Sequence, residues 1–450
     1  MTTLRFNFKF DREKAKYGLK WIALSSLVGF LVGIVIIFFD LALYGLIGLI
    51  NSLNMWIMVC LPIVGLFLCG IITGFFAPEA RGHGDAIIVA YHRNEGIVRD
   101  RMVPAKFAAS LVTIGFGGSA GPEGPAINMG GGIGSIIGQK FNLPPKERKN
   151  LLLCGMSAGF GAVFLAPLSG AMFSCEVVYR NDSEYSNLLP CIISSGIGFL
   201  TRKYIPSLFG NVNPLIQIPA ISYSFNWYDL FIFLGIGLVC GLVGLVFIKL
   251  FYTIDEKFIK WKRSEWLKTT VGGVAVTLLV LFLMVFAVNF SSNINNATLI
   301  MSLGWPLVNI LGTSPIVFSI EFLIFLLIFK LLATGVTLGA GGSGGVVAPS
   351  IVMGALLGSI IAAIFAPFLS SDMQSALIIV SSVVLYASIA HVPLTGMLLG
   401  GELYGINFIF PTLLASVIGS WIIRKDSIYR STLVNKENMW DFSENLKEIK

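Results

Sequence analysis

The sequence contains itself twice. KFAASLVTIGFGGSAGPEGP (Lys106 to Pro125) lies without a gap over KLLATGVTLGAGGSGGVVAP (Lys330 to Pro349), at an offset of 224 residues. Ten of the twenty positions are identical: Lys106, Ala109, Val112, Thr113, Gly115, Gly117, Gly118, Ser119, Gly121 and Pro125. The register continues as PAINMG (from Pro125) over PSIVMG (from Pro349). It resumes at an offset of 226 as PLSGAMFSCE (Pro167 to Glu176) over PLTGMLLGGE (Pro393 to Glu402). Shared glycine content alone would not align Lys, Val, Thr, Met and Glu. A chain with this pattern must fold as two related halves whose joint core neither half builds alone.

The solvent of those halves follows from charge. Of 450 residues only 12% are charged and 55% are hydrophobic, against about 25% charged in an ordinary soluble domain. A cytosolic enzyme, a disordered chain and a secreted disulfide scaffold are thereby excluded. At roughly 20 residues per span there is room for about ten or more membrane helices, so the fold class is an all-α polytopic membrane protein. The first apolar run, Trp21 to Ile50, is too long for a signal peptide. The six cysteines (Cys60, Cys69, Cys154, Cys175, Cys191, Cys240) lie in or beside apolar runs without metal-ligand spacing and read as core-filling thiols.

The net charge of +7 sits in short clusters between apolar runs, so it signals membrane orientation and no nucleic-acid partner. The basic segments are the N-terminal tail with Lys14, Lys16 and Lys20, then Arg93 to Lys106, Lys140 to Lys149, Lys257 to Lys268, and the C-terminus from Arg424. The connections Pro206 to Tyr228 and Asn289 to Pro315 carry no charge. The positive-inside rule then places both termini in the cytoplasm of a multi-pass protein of the cell membrane. The expected organisation is a basic cytoplasmic tail (1–20), a first membrane repeat (21–205), an extracellular linker (206–227), a second repeat (228–432) and a cytoplasmic tail (433–450). The first repeat starts from a basic side and the second from an uncharged one, so the two cross in opposite senses. Inverted repeats place a substrate site near the midplane, at interrupted helices.

Glycine identifies where those interruptions fall. There are 49, each costing about 1 kcal/mol in a helix interior relative to Ala. GGGIG (Gly130 to Gly134) and Gly354 to Gly358 fit small-residue helix packing. The stretches before Pro125 and Pro349 either pack helices too or precede helices that begin in mid-membrane. In the second case the unpaired first N–H groups and the positive dipole end make an anion site without a full positive charge, suited to an ion that must also leave. Glu123 is an ionisable side chain within one such stretch, and its repeat equivalent is Val347. It is either a satisfied structural carboxylate or a gate that competes with the anion for the same N–H groups.

These residues are similar to those of the CLC family of chloride channels and chloride/proton exchangers. GPEGP (Gly121 to Pro125) resembles the family's GREGP, and GVVAP (Gly345 to Pro349) its G-x-F-x-P. GHGDA (Gly82 to Ala86), after Pro78-Glu79-Ala80, stands where the family carries GSGIP. Tyr429 in KDSIYRSTLV matches a late pore tyrosine. The likeness runs from about Trp21 to Thr432. It implies a CLC-type inverted-repeat fold with broken, re-entrant helices, and a homodimer with a separate pore in each subunit. It implies a central anion held by backbone near Val346 and Val347 and by the Tyr429 hydroxyl, with Gly82, His83, Gly124 and Gly345 around it, and Glu123 as the gating residue. The chain stops soon after Tyr429, so the regulatory cytoplasmic domain pair of many eukaryotic members is expected to be absent, as in compact prokaryotic-type members.

Several positions depart from the family pattern. His83 replaces a serine, and it either donates an N–H to an anion or faces the cytoplasmic mouth with Asp85 as partner. Asp85 and Ala86 alter the rest of that motif, Pro122 replaces Arg, and Val347 replaces a pore phenylalanine. Val177 stands where exchangers usually carry an inner proton glutamate; Glu176 beside it, repeated as Glu402, reads as structural. Because valine carries no proton, the leading expectation is a chloride channel gated by Glu123. The alternative is a chloride/proton or fluoride/proton exchanger with another proton route, through His83, Glu321 or water. A transporter of a small organic substrate is a third reading, disfavoured because no polar side-chain cluster is visible at the midplane. No enzyme, cofactor or metal site is expected; His92 and His391 read as loop and helix-end residues. The expected partners are chloride or another small anion, protons if coupled, and membrane lipid.

Overall fold

A computed structural model describes residues 12–206, 223–290, 298–314 and 317–436. Most of the connection Pro206 to Tyr228, residues 291–297 of the connection Asn289 to Pro315, and the chain ends 1–11 and 437–450 lie outside the described residues. Sixteen α-helices account for most of what is described, and eight are long and apolar enough to cross a membrane. Among the others α3, α7, α11 and α15 have only 9–12 residues, too few to cross a bilayer, the form taken by a chain that enters lipid depth and turns back.

The first eight helices are α1 (Arg12–Asn51), α2 (Met55–Phe75), α3 (Asp85–Arg93), α4 (Met102–Gly115), α5 (Glu123–Lys140), α6 (Pro145–Phe164), α7 (Pro167–Glu176) and α8 (Leu188–Tyr204). The second eight are α9 (Asp229–Lys260), α10 (Glu265–Phe290), α11 (Trp305–Thr313), α12 (Ile320–Gly339), α13 (Val347–Ile364), α14 (Ser371–Ala390), α15 (Pro393–Tyr404) and α16 (Ile409–Ile423). The repeat therefore maps helix onto helix: α4 onto α12, α5 onto α13, and α7 onto α15.

Hydrogen bonds obey the same two-fold relation. Glu176 accepts from the Leu394 N–H (3.0 Å), the Thr395 N–H (2.7 Å) and the Thr395 hydroxyl (2.6 Å). Glu402 accepts from the Leu168 N–H (2.9 Å) and the Ser169 N–H (2.8 Å), and from the Ser169 hydroxyl. Each glutamate thus lies in the last turn of one short helix and satisfies the open first turn of its counterpart, α15 or α7. The structural reading of both residues rests on these bonds.

Glycine contacts bind α5 to α6 and α13 to α14. A Cβ on Gly130 or Gly134 would meet the carbonyls of Gly155 or Leu151, and on Gly354 that of Ser381. On Gly358 it would lie 2.7 Å from the Ile378 Cα. Those glycines let backbones touch, which is what holds helices together where lipid offers no hydrophobic drive. Five of the six cysteines are buried and Cys60 is exposed; all are free thiols.

One lysine departs from the expectation drawn from charge. Local charge groups Lys106 with a basic loop, yet it lies within α4, and Lys106 and its equivalent Lys330 are both fully buried. Lys106 Nζ donates to the carbonyls of Ala80 (3.1 Å) and Gly82 (2.8 Å). Lys330 Nζ donates to those of Ile300 (3.0 Å) and Ser302 (3.2 Å). A lysine with converging carbonyls can be buried because its donors are satisfied.

A candidate anion site at the interrupted helices

Both glycine-rich stretches break the chain in the same way. After α4, the Gly118 N–H donates to the Thr113 carbonyl (2.9 Å), and after α12 the Gly342 N–H donates to the Thr337 carbonyl (2.9 Å). Each closure needs a left-handed residue, supplied by Gly117 (φ +95°) and Gly341 (φ +103°). Ser119 N–H then donates to Thr337 Oγ1 (3.1 Å) and Ser343 N–H to Thr113 Oγ1 (3.3 Å), tying each loop to the other half.

The loops meet at Gly121 and Gly345, which exchange both N–H···O bonds at 2.8 Å. Immediately beyond, α5 starts at Glu123 and α13 at Val347, the two residues the repeat aligns. Pro125 and Pro349 fall in the first turns, where a missing N–H removes no helical bond. Two helix N-termini are thereby held against each other in the buried interior, as the mid-membrane break predicts.

The approach leaves no room for side chains. A Cβ on Gly124 would lie 2.6 Å from the Gly345 Cα and 2.8 Å from the His83 carbonyl oxygen; one on Gly345 would lie 2.5 Å from the Gly124 nitrogen. Gly345→Ala is therefore expected to push the two N-termini apart at a cost of about 1–3 kcal/mol and to remove measurable anion binding by calorimetry. Wild-type affinity in that variant would show that the contact does not shape the site.

Glu123 is fully buried. Its Oε2 accepts from the Ala348 N–H at 3.3 Å, on the first turn of α13, while Oε1 has no partner among the described residues. A carboxylate thus accepts at the helix N-terminus where the sequence leads to the expectation of an anion. Val346 and Val347 are fully buried beside it.

The remaining site residues come from two distant segments. Gly82 takes φ +71° and its carbonyl is held by Lys106 and, at 3.3 Å, by the Gly344 N–H. His83 Nε2 donates to the Ile428 carbonyl at 2.9 Å, and the Tyr252 hydroxyl donates to the same oxygen at 2.6 Å. Because a carbonyl only accepts, Nε2 carries a proton and directs it at the backbone beside Tyr429. Asp85 Oδ2 stands 3.8 Å from that nitrogen, so His83 has Asp85 as a neighbour and its ring bond goes to Ile428. Burial raises the Asp85 carboxyl above its ordinary range, and His83 opposes that rise. Tyr429 is buried, its ring 5.8 Å from the His83 ring and 6.5 Å from the Phe173 ring. Glu123 and Tyr429 are within electrostatic reach of each other.

Gly82, His83, Gly124, Gly345, Val346, Val347, Glu123 and Tyr429 are therefore gathered in one region. Other candidates are elsewhere engaged. His92 Nε2 donates to the Val178 carbonyl (2.8 Å) at the end of α3, and His391 caps α14 at φ +57° and donates to the Asp426 carbonyl (2.6 Å). Glu321 lies exposed in the first turn of α12. Val177 is buried directly after Glu176. Sequence reasoning overlooked Lys106 as a support of the Gly82 loop, although its identity with Lys330 was visible in the repeat. It also overlooked Tyr386.

Comparison with known proteins places this arrangement. A family model described as voltage gated chloride channel matches residues 64–424. The H(+)/Cl(-) exchange transporter ClcA of Yersinia pestis bv. Antiqua (strain Angola) is 28% identical over 368 residues, covering 81% of this chain and 73% of its own length. The chloride/fluoride channel protein of Pseudomonas syringae pv. tomato is 28% identical over 408 residues, covering 90% and 84%. The crystal structure of a CLC-type fluoride/proton antiporter superposes with a TM-score of 0.79 at 22% identity, covering 93% of this chain and 98% of that one. The repeat, the broken helices and the matched sequence agree: this chain belongs to the voltage-gated chloride channel, or CLC, family of membrane anion-transport proteins.

Proposed function

We propose that this chain is a proton-coupled anion exchanger, moving chloride or fluoride against protons through the site around Glu123. The carrying observation is the position of the Glu123 carboxylate. It is buried without solvent contact and accepts the Ala348 N–H at the N-terminus of α13, where the anion is to bind. An anion takes that place only when the carboxylate leaves or loses its charge, and taking up a proton is the direct way to do both. This favours exchange over the passive channel expected from Val177. The naming of a relative as a proton/chloride exchanger supports it as well.

In this reading backbone around Val346 and Val347, the Tyr429 hydroxyl and the glycines Gly82, Gly124 and Gly345 surround the anion. His83 acts through Ile428 by positioning the Tyr429 segment. The proton reaches Glu123 from the cytoplasm by a route that does not use Val177. A homodimer with one such pathway per subunit and both termini cytoplasmic belong to the same proposal. The organic-substrate reading gains nothing, because the site is lined by backbone and buried hydroxyls.

The test is a flux measurement on purified protein in liposomes under a chloride gradient, with chloride efflux and pH recorded together, then repeated with fluoride. Proton movement against its own gradient, driven by the anion, is expected. Anion efflux with no pH change would overturn exchange and restore the channel, which the naming of the Pseudomonas relative favours.

A further inference from the structure

Tyr386 lies on α14, fully buried, and its hydroxyl has no hydrogen-bond partner among the described residues. A tyrosine O–H at such depth normally finds an acceptor. Its place in the helix indicates which one. α14 runs antiparallel to α13: the space beside Gly358 is taken by Ile378, and that beside Gly354 by Ser381 and Ser382. Four residues beyond Ser382, on the same face, Tyr386 comes alongside the first turn of α13. It is also within electrostatic reach of Tyr429, Glu123 and Glu176.

The repeat isolates the hydroxyl as the difference. Leu165 and His391 are the equivalent left-handed caps of α6 and α14, and counting back from each puts Phe160 opposite Tyr386. Phe160 stacks on Phe173 at 4.8 Å. The two halves therefore keep an aromatic ring in this position, and only the half that presents the α13 N-terminus adds an O–H. The nearby histidine leaves a donor place open as well, because His83 Nε2 is spent on the Ile428 carbonyl.

We propose that the Tyr386 hydroxyl is a ligand of the transported anion, donating a hydrogen bond to it at the first turn of α13 alongside the Tyr429 hydroxyl. The inference rests on the anion-site reading above and extends it to a residue on α14. It accounts for a buried donor with no partner among the described residues, which an anion between the two tyrosines satisfies. It also gives the anion a second hydroxyl without a serine in the Gly82–Gly84 loop.

Calorimetric titration of the detergent-purified protein with chloride, and separately with fluoride, tests it. Tyr386→Phe is expected to bind chloride about ten-fold more weakly or worse, the usual loss for a hydrogen bond to a charged group, with an unchanged melting temperature. Wild-type affinity in Tyr386→Phe would overturn the proposal and assign the hydroxyl to a buried water. If the wild-type protein itself binds neither anion, the anion-site reading fails and this proposal fails with it. Should Tyr386→Phe not fold, bromide diffraction from wild-type crystals decides. Anomalous density within hydrogen-bond distance of the Tyr386 oxygen supports the ligand role, and density only beyond that distance rejects it.

Discussion

Glu123→Gln is expected to reduce anion-driven proton movement to that of protein-free liposomes while anion flux persists. The reasoning is local. The side chain is fully buried, with Oε2 on the Ala348 N–H and Oε1 without a partner among the described residues. Glutamine keeps the shape and an acceptor oxygen for that N–H, yet cannot take up and release a proton at neutral pH. It also carries no charge to repel an incoming anion at the α13 dipole. Coupling and occlusion therefore separate: the first is lost and the second is weakened. Simultaneous recording of chloride and pH in liposomes reads both. A pH response equal to wild type would remove Glu123 from its role and redirect the search to another carboxylate.

Arg202→Met is expected to destabilise the fold by about 3–5 kcal/mol, the usual result of stripping one partner from a buried ion pair. Arg202 Nε on α8 donates to Asp40 Oδ2 on α1 at 2.7 Å, with both side chains almost wholly buried. Asp40 Oδ1 has no other partner among the described residues, so without Arg202 the carboxylate has nothing to offset its desolvation. Asp40→Asn combined with Arg202→Met is expected to recover most of the loss, because the uncompensated charge is then gone. Melting of the single and double variants in detergent checks this. Equal melting temperatures for wild type and Arg202→Met would mean that the pair contributes nothing to stability.

Much of the site was legible along the chain, for a definite reason. Glycine before a break and proline in the first turn act on backbone within a few residues, so both helix starts could be located. The repeat then aligned Glu123 with Val347, and both open their helices. The packing role of Gly130 and Gly354 and the structural role of Glu176 were legible in the same way, because each recurs at the same spacing. Local charge density suggests a loop at Lys106, where the structure has a buried helical residue. Its burial depends on the carbonyls of Ala80 and Gly82, some 24–26 residues away. The sequence alone does not choose between the two roles of His83, because Ile428, its acceptor, lies 345 residues further on.

By itself the sequence determined the solvent, the two opposed halves and the places where helices break, since these follow from side-chain polarity, duplicated register and backbone freedom. Only the tertiary structure decided which groups meet. It set Glu123 on the Ala348 N–H, His83 on the Ile428 carbonyl and Arg202 on Asp40. Those pairings depend on where packed helices bring distant residues within about 3 Å of one another, and no periodicity along the chain encodes that distance.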